Sequence, residues 1–370
     1  MSGALVDLVA KGVQDAYLTG NPEVSFFRQN YKRHTNFAMK PVKLNPLGAV
    51  AENSEITLKI PPSGDLLNYV WIDLDTDDVG QTNSIISAGT NSPAIFELYI
   101  GGQLIDRQDA TFMVLHWQKF LVDSGAKAMA MANGEADAVI RNEILGSTWL
   151  PLHFFFCDAT PLPLVALQYH EVEIKIKFPA KTGTPTAQAN YKFYANYTLL
   201  DTHERDHFVN NDHELLIEQV QRIPSTVGGN SPVWDLSLLN HPVKSLHWTD
   251  ATSTGYDTGN VMIYLNGTQL FDSSMPDKFF TRVQGYYHSE HASELLKGKS
   301  TTEGGFGMKM YSFAQKASKH VPTGTCNFSR LDNAELKATG ASNSDNAYLN
   351  AVNFNVLRIK KGMAGLAFSN

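Results

Sequence analysis

Apolar and polar residues alternate along most of this chain. Ile56, Leu58 and Ile60 alternate with polar partners, and so do Val70, Ile72 and Leu74. Val172, Ile174, Ile176 and Phe178 alternate with Glu171, Glu173, Lys175 and Lys177, the pattern of a strand with one wet face. Tyr191, Phe193, Ala195, Tyr197 and Leu199 repeat it. Further strands are predicted at 150–157, 215–220, 234–238, 246–248, 308–313, 331–336 and 354–359. Helical patterns are few and short: the aromatic-rich segments 112–120 and 279–287, and part of 126–144. Near the start, Leu5, Leu8 and Val9 share one face of a short helix. Asn21 before Pro22 reads as an N-cap, followed by a stripe of Val24, Phe27 and Tyr31.

One stretch occurs twice. Tyr99-Ile100-Gly101-Gly102-Gln103-Leu104-Ile105-Asp106 returns as Tyr264-Leu265-Asn266-Gly267-Thr268-Gln269-Leu270-Phe271-Asp272, with Thr268 as an extra residue. Gly-Gly and Asn-Gly between alternating runs predict hairpins. The offset is 264 − 99 = 165 residues, the size of a domain. Other landmarks pair in the same order: Val70-Trp71 with His247-Trp248, Phe154-Phe155-Phe156 with Tyr311-Ser312-Phe313, and Pro163 with Pro322. About eight short strands per copy predict an all-β chain of two consecutive jelly-roll β-sandwiches, a double jelly roll, with short helical inserts. The expected division is an N-terminal arm over 1–34, a first roll over 35–200, a linker over 201–212 and a second roll over 213–370.

The length, 370 residues, also calls for two cores. A net charge of −7 argues against a chain that coats nucleic acid, and no direct sequence-specific nucleic-acid binding is expected. From Val24 to Ala51 there is no acid, yet Arg28, Lys32, Arg33, Lys40 and Lys43 stand there; this is a solvated face or one turned to an anionic neighbour such as lipid headgroups. Cys157 and Cys326 fall at similar places in the two copies, hence in different cores, and read as reduced. Apolar runs fall short of the ~18 residues of a membrane span, and no targeting segment is visible.

The sharpest chemical motif is His203-Glu204-Arg205-Asp206-His207, the H-E-x-x-H form of zinc hydrolases, with His213 as a third ligand and Met275 downstream. That chemistry needs a helix, so that both histidines share a face. The residues before His203 alternate as a strand, and a charged inter-domain linker is the preferred reading. No phosphate loop, nucleophile elbow or CxxC pair appears, so no catalytic residue, metal ligand or cofactor is expected. A glycan-binding β-sandwich is a further alternative. Sequons stand at Asn196, Asn266 and Asn327, with the unmodified state preferred.

The blocks 12–22 and 26–37, Ile100 to Asp106, Pro163 to Val172, His213 to Gln219, Pro322 to Arg330 and Asn355 to Ile359 together resemble the major capsid proteins of large nucleocytoplasmic DNA viruses, of the algal-virus and iridovirus type. They span nearly the whole chain in order. The resemblance implies a double jelly roll without enzymatic activity, trimerised into pseudo-hexagonal capsomers that tile an icosahedral shell over an inner membrane. It implies neighbouring capsomers as partners, minor capsid proteins and membrane contacted through the N-terminal arm, and a place in the virion capsid after assembly in the host cytoplasm.

Overall fold

The computed structural model describes residues 9–29, 31–73, 93–124, 127, 149–180, 191–225, 231–250, 260–290, 307–339 and 348–368. The predicted positions Leu5, Leu8 and Leu74 and nearly all of the predicted helix over 126–144 lie outside them. Residues 1–36 form a unit of their own, and Phe37–Asn370 forms a second.

In the small unit, α1 (Asp15–Thr19) leaves Tyr17 and Leu18 about nine-tenths exposed. Asn21 takes φ 49° and does not cap a helix, because an N-cap needs the extended region. The stripe that follows it is not buried: Val24 is 59% exposed, Phe27 99% and Tyr31 79%.

In the large unit, the alternating runs form strands because period-two patterning gives each strand one apolar face. They are β1 (Phe37–Leu44), β2 (Pro46–Leu47), β3 (Glu55–Ile60), β4 (Leu66–Asp73), β5 (Ile95–Ile100), β6 (Gln103–Asp109), β7 (Trp149–Pro151), β8 (Leu162–Pro163), β9 (Val172–Lys177) and β10 (Lys192–Leu200). The same series then repeats as β11 (His213–Pro224), β12 (Val233–Asp235), β13 (Pro242–Asp250), β14 (Asn260–Leu265), β15 (Thr268–Gln269), β16 (Met275–Pro276), β17 (Gly307–Ser312), β18 (Cys326–Asn327), β19 (Ala334–Thr339), β20 (Tyr348–Lys360) and β21 (Met363–Leu366).

Sheet order proves the duplication. The first series pairs as β1-β10-β4-β7 and β2-β3-β9-β5-β6. The second pairs as β11-β20-β13-β17 and β12-β19-β14-β15. Each sandwich thus stacks its first, last, third and sixth main strands against its second, seventh, fourth and fifth, the jelly-roll order. Both hairpin turns carry two successive positive φ values, 58° and 80° at Gly101 and Gly102, 50° and 77° at Asn266 and Gly267, the type I′ geometry that fits strand twist. Tyr99 pairs with Leu104 and Tyr264 with Gln269, so the tyrosines are equivalent. A lysine lies over each ring, Lys175 at 4.6 Å and Lys337 at 4.9 Å. Thr268 is not an insertion; it pairs with Leu265 as Gln103 pairs with Ile100.

Four expectations shift. Trp71 pairs with Tyr194 and Pro151, whereas His247 pairs with Asn350 and Met310, so the partner of Trp71 is His247 at 247 − 71 = 176, one residue from the expected offset. Pro163 and Asn327 both open a short 3-10 turn, so Pro163 matches Asn327 rather than Pro322. The run 150–157 is a short strand followed by α3 (Phe155–Asp158), which carries Cys157. Cys326 is on β18, so the cysteines are not equivalent, although each packs on a different core and both are free.

The predicted linker is ordered as α4 (Thr202–Asn210), begun by the Asp201 carboxylate accepting from the Thr202 backbone N–H. The aromatic segments are helices in both copies, and both contain π-helical turns: α2 (Phe112–Leu121) and α5, made of Phe279–Val283 and Gln284–His288.

Candidate functional site: the seam between the rolls

Strand β6 reads as polar, Asp106-Arg107-Gln108-Asp109, yet Asp106, Gln108 and Asp109 are each 3% exposed. They are buried because β11 of the second roll runs against them. The Val220 N–H donates to Asp106 Oδ1 at 2.9 Å, and the Gln219 side chain donates to the Ile105 carbonyl. Burial raises the Asp106 carboxyl to about 7, against the lowering effect of the bonds from Val220, Gln108 and Arg107. Asp109 Oδ2 lies 3.0 Å from Arg222 Nε, an ion pair across the seam, while its Oδ1 accepts from the Phe112 N–H and starts α2. Burial pushes the Asp109 carboxyl up too, with Arg222 opposing.

Helix α2 carries the apolar part of the seam. Phe112, Phe120 and Leu121 pack with Val220, Met308, Met310 and Val352 of the second roll. His116 and His247 meet inside this cluster with ring centroids 5.7 Å apart. Burial lowers His116 to about 3 and drives His247 well down, with the neighbouring cations Lys119 and Lys244 adding to the effect. Lys244 and Lys309 are themselves buried in pairs, with Glu218 at 2.5 Å and Asp277 at 2.9 Å. Below, the Lys361-Gly362 turn of the terminal hairpin packs on Tyr169 and His170, with the Ala364 N–H donating to His170 Nδ1 at 3.1 Å. A cavity of about 630 Å³ opens beside the seam, lined largely by aromatic and aliphatic side chains including Trp117, Phe155 and Val220.

The sequence-predicted sites lie elsewhere. The H-E-x-x-H motif is on a helix after all, α4, where His203 and His207 are exposed. His207 Nδ1 is 3.0 Å from the Asn211 amide, and His213 Nε2 bonds the Phe208 carbonyl at 2.8 Å. Among the described residues no three His, Cys, Asp or Glu side chains gather as metal ligands. Met275 lies in β16. Asn196 is 4% exposed in β10, so its amide is not available for a glycan in the folded chain. Asn266 accepts from the backbone N–H groups of Asp332 and Asn333, and Asn327 from that of Ser329. No signal in the sequence marked Asp106 or Asp109 as seam residues, because polar side chains in an edge strand read as wet, and none marked His247 on β13.

Two jelly rolls of the same strand order, welded by a buried seam, define the class of double jelly-roll viral capsid proteins. A crystal structure of PBCV-1 VP54, fitted into a reconstruction of the virophage Sputnik, superposes with a TM-score of 0.74 at 27% identity over 94% of this chain and 100% of that one. The Faustovirus major capsid protein shares the fold, with a TM-score of 0.61 at 12% identity, over 95% of this chain and 94% of that one. Residues 25–209 match the family model described as major capsid protein N-terminus, and 204–365 match that described as large eukaryotic DNA virus major capsid protein. The major capsid proteins of Pyramimonas orientalis virus and Paramecium bursaria Chlorella virus 1 are 35% and 30% identical, over 100% of both chains in each case. The chain belongs to the major capsid proteins of large eukaryotic DNA viruses. Its role is structural, as the building block of a virion capsid.

Proposed function

We propose that the chain forms a homotrimer whose outline is pseudo-hexagonal, and that such capsomers tile an icosahedral shell. The observation that carries this is the repeated sheet order. Two similar rolls per chain, taken three times, give six similar lobes, which pack in a flat hexagonal array. Head-to-tail contacts between unlike faces close such a ring without a free edge. Light scattering should find about three times the chain mass of 40.9 kDa. A monomer at micromolar concentration in near-physiological salt would refute it.

In this reading the protein does its work by surfaces and has no catalytic activity, and it assembles in the host cytoplasm. The domains act as a first roll over 35–200 and a second over 213–370, joined by 201–212. The exposed Tyr17 and Leu18 and the basic stretch after Val24 suit an arm that meets minor capsid proteins or the anionic inner membrane, where each basic group contributes about 1 kcal/mol. Every described strand lies outside the arm. Deleting Ser2 to Gly20 should therefore leave unfolding temperature and trimer mass nearly unchanged while shells fail to form. Insoluble or monomeric protein after that deletion would make the arm part of the fold. Asn266 and Asn327 serve as turn and cap and stay unmodified, so the intact mass should equal that of the bare chain.

A further inference from the structure

The seam between the rolls uses two surfaces, and the duplication supplies each of them twice. One is the last turn of the helix that follows the hairpin. The other is the outward face of the sheet that contains each roll's first and last strands. Within the chain, α2 of the first roll covers that face on the second. His247, Met308 and Met310 are completely buried there, with Phe112 at 5.8 Å and Phe120 at 6.0 Å from the His247 ring. The Lys119 ammonium donates to the Met308 carbonyl.

The second copy of each surface is left partly open: on the first roll, Trp71 and Pro151 are half-buried and with Tyr69 form one wall of the cavity beside the seam. By register, His247 matches Trp71, and Met310 matches Pro151 at 310 − 151 = 159. Ser245 matches Tyr69, each next to the bulge that interrupts the pairing with the roll's last strand. On the first roll these positions form an aromatic face: Trp71 stacks on Tyr194 at 4.6 Å, Tyr69 is 43% exposed and Met39 on the edge strand is 53% exposed. On the other side, α5 repeats α2. Pro276 pairs with Asn260 as Asp109 pairs with Ile95, and Phe280 is buried in its own roll's core as Met113 is in the first. The offset of 276 − 109 = 167 then places Tyr286 and Tyr287 where α2 carries Lys119 and Phe120. Tyr286 is 74% exposed and Tyr287 65% exposed. Two adjacent tyrosines in the open, and an aromatic sheet face partly open, are each the unpartnered half of a contact the chain already makes internally.

We infer that Tyr286 and Tyr287 of one copy dock on the outward face of the first roll of a second copy, around Tyr69, Trp71 and Pro151. The contact is heterologous, and its repetition closes the ring. The inference rests on the trimer proposed above and names the surfaces that build it.

Full-length protein with Tyr69→Cys and Tyr287→Cys together, in a Cys157→Ser, Cys326→Ser background, tests it directly. A bis-maleimide of about one nanometre should convert most of the sample to dimers and trimers on a denaturing gel, and each single-cysteine control should stay at monomer mass. In parallel, Tyr286→Asp/Tyr287→Asp should scatter light as a folded monomer at a concentration where the unaltered chain is a trimer. A trimeric unaltered chain with no cross-linking, or an Asp variant that remains trimeric, would overturn the assignment and leave the trimer standing. An Asp variant that stays trimeric and fails only in shell formation would assign the tyrosines to another capsid component and equally overturn it. A monomeric unaltered chain would overturn the trimer itself.

Discussion

Gly101 and Gly102 share one turn but face different constraints. Both have φ values that L side chains rarely adopt. A Cβ on Gly101 would also fall 2.3 Å from His170 Nδ1, whereas one on Gly102 would meet nothing within 4 Å. The His170 ring cannot easily retreat, because it accepts from the Ala364 N–H and so anchors the terminal hairpin. Gly102→Ala should therefore cost only the left-handed strain, about 1 kcal/mol, and Gly101→Ala about 2–3 kcal/mol. Denaturant midpoints of the two variants check the difference. Equal midpoints would mean that the His170 ring yields freely to the added methyl group.

At the level of elements, two helices carry polar residues with opposite consequences. Helix α4 displays His203 and His207 to water, and surface substitutions there should change stability by less than about 0.5 kcal/mol and assembly not at all. Helix α2 is preceded by Asp109, whose carboxylate accepts from the Phe112 N–H and faces Arg222 across the seam. Asp109→Ala leaves a guarded cation without its partner and should cost about 3–5 kcal/mol. Asp109→Asn keeps an acceptor for the helix start and should cost less. Thermal unfolding of the two variants ranks them; equal losses would put the whole effect in the ion pair and none in the cap.

For the whole molecule, the seam makes stability depend on pH. His116 binds its proton more weakly when folded, at about 3 against 6.5, and His247 shifts the same way. Their contribution is complete above pH 6.5 and is lost as pH falls from there toward 3. Asp106 shifts upward to about 7, so it adds stability as pH falls from 7 toward 3.8 and offsets part of that loss. Between pH 7.5 and 5 the His116 contribution alone falls by about 2 kcal/mol. His116→Phe should flatten the acid loss of stability, and Asp106→Asn should steepen it. Chemical unfolding at the two pH values measures both, and parallel shifts in all three proteins would place the titrating groups elsewhere.

Strand periodicity, the paired hairpin and the repeat of one roll by another are local or repeated features, and they were legible in the order of residues. Period-two alternation specifies a strand and its apolar face, and Gly-Gly or Asn-Gly specifies the turn, whatever lies beyond. What faces what was decided only in three dimensions. A one-residue difference in register turns a strand's side chains to the other face, which is why Trp71 matches His247 outside and Ile72 matches Trp248 inside. Asp106 and Asp109 look wet until β11 closes over them, and Phe27, on a helical stripe by its spacing, stands exposed. The segment around His203 became a helix through the Asp201 cap and the Arg205 link to Asp65, neither of which a strand-like approach announces. Burial is a property of surfaces brought together by the fold, so a sequence read along its length cannot assign it to an edge strand, a terminal arm or a helix between two rolls.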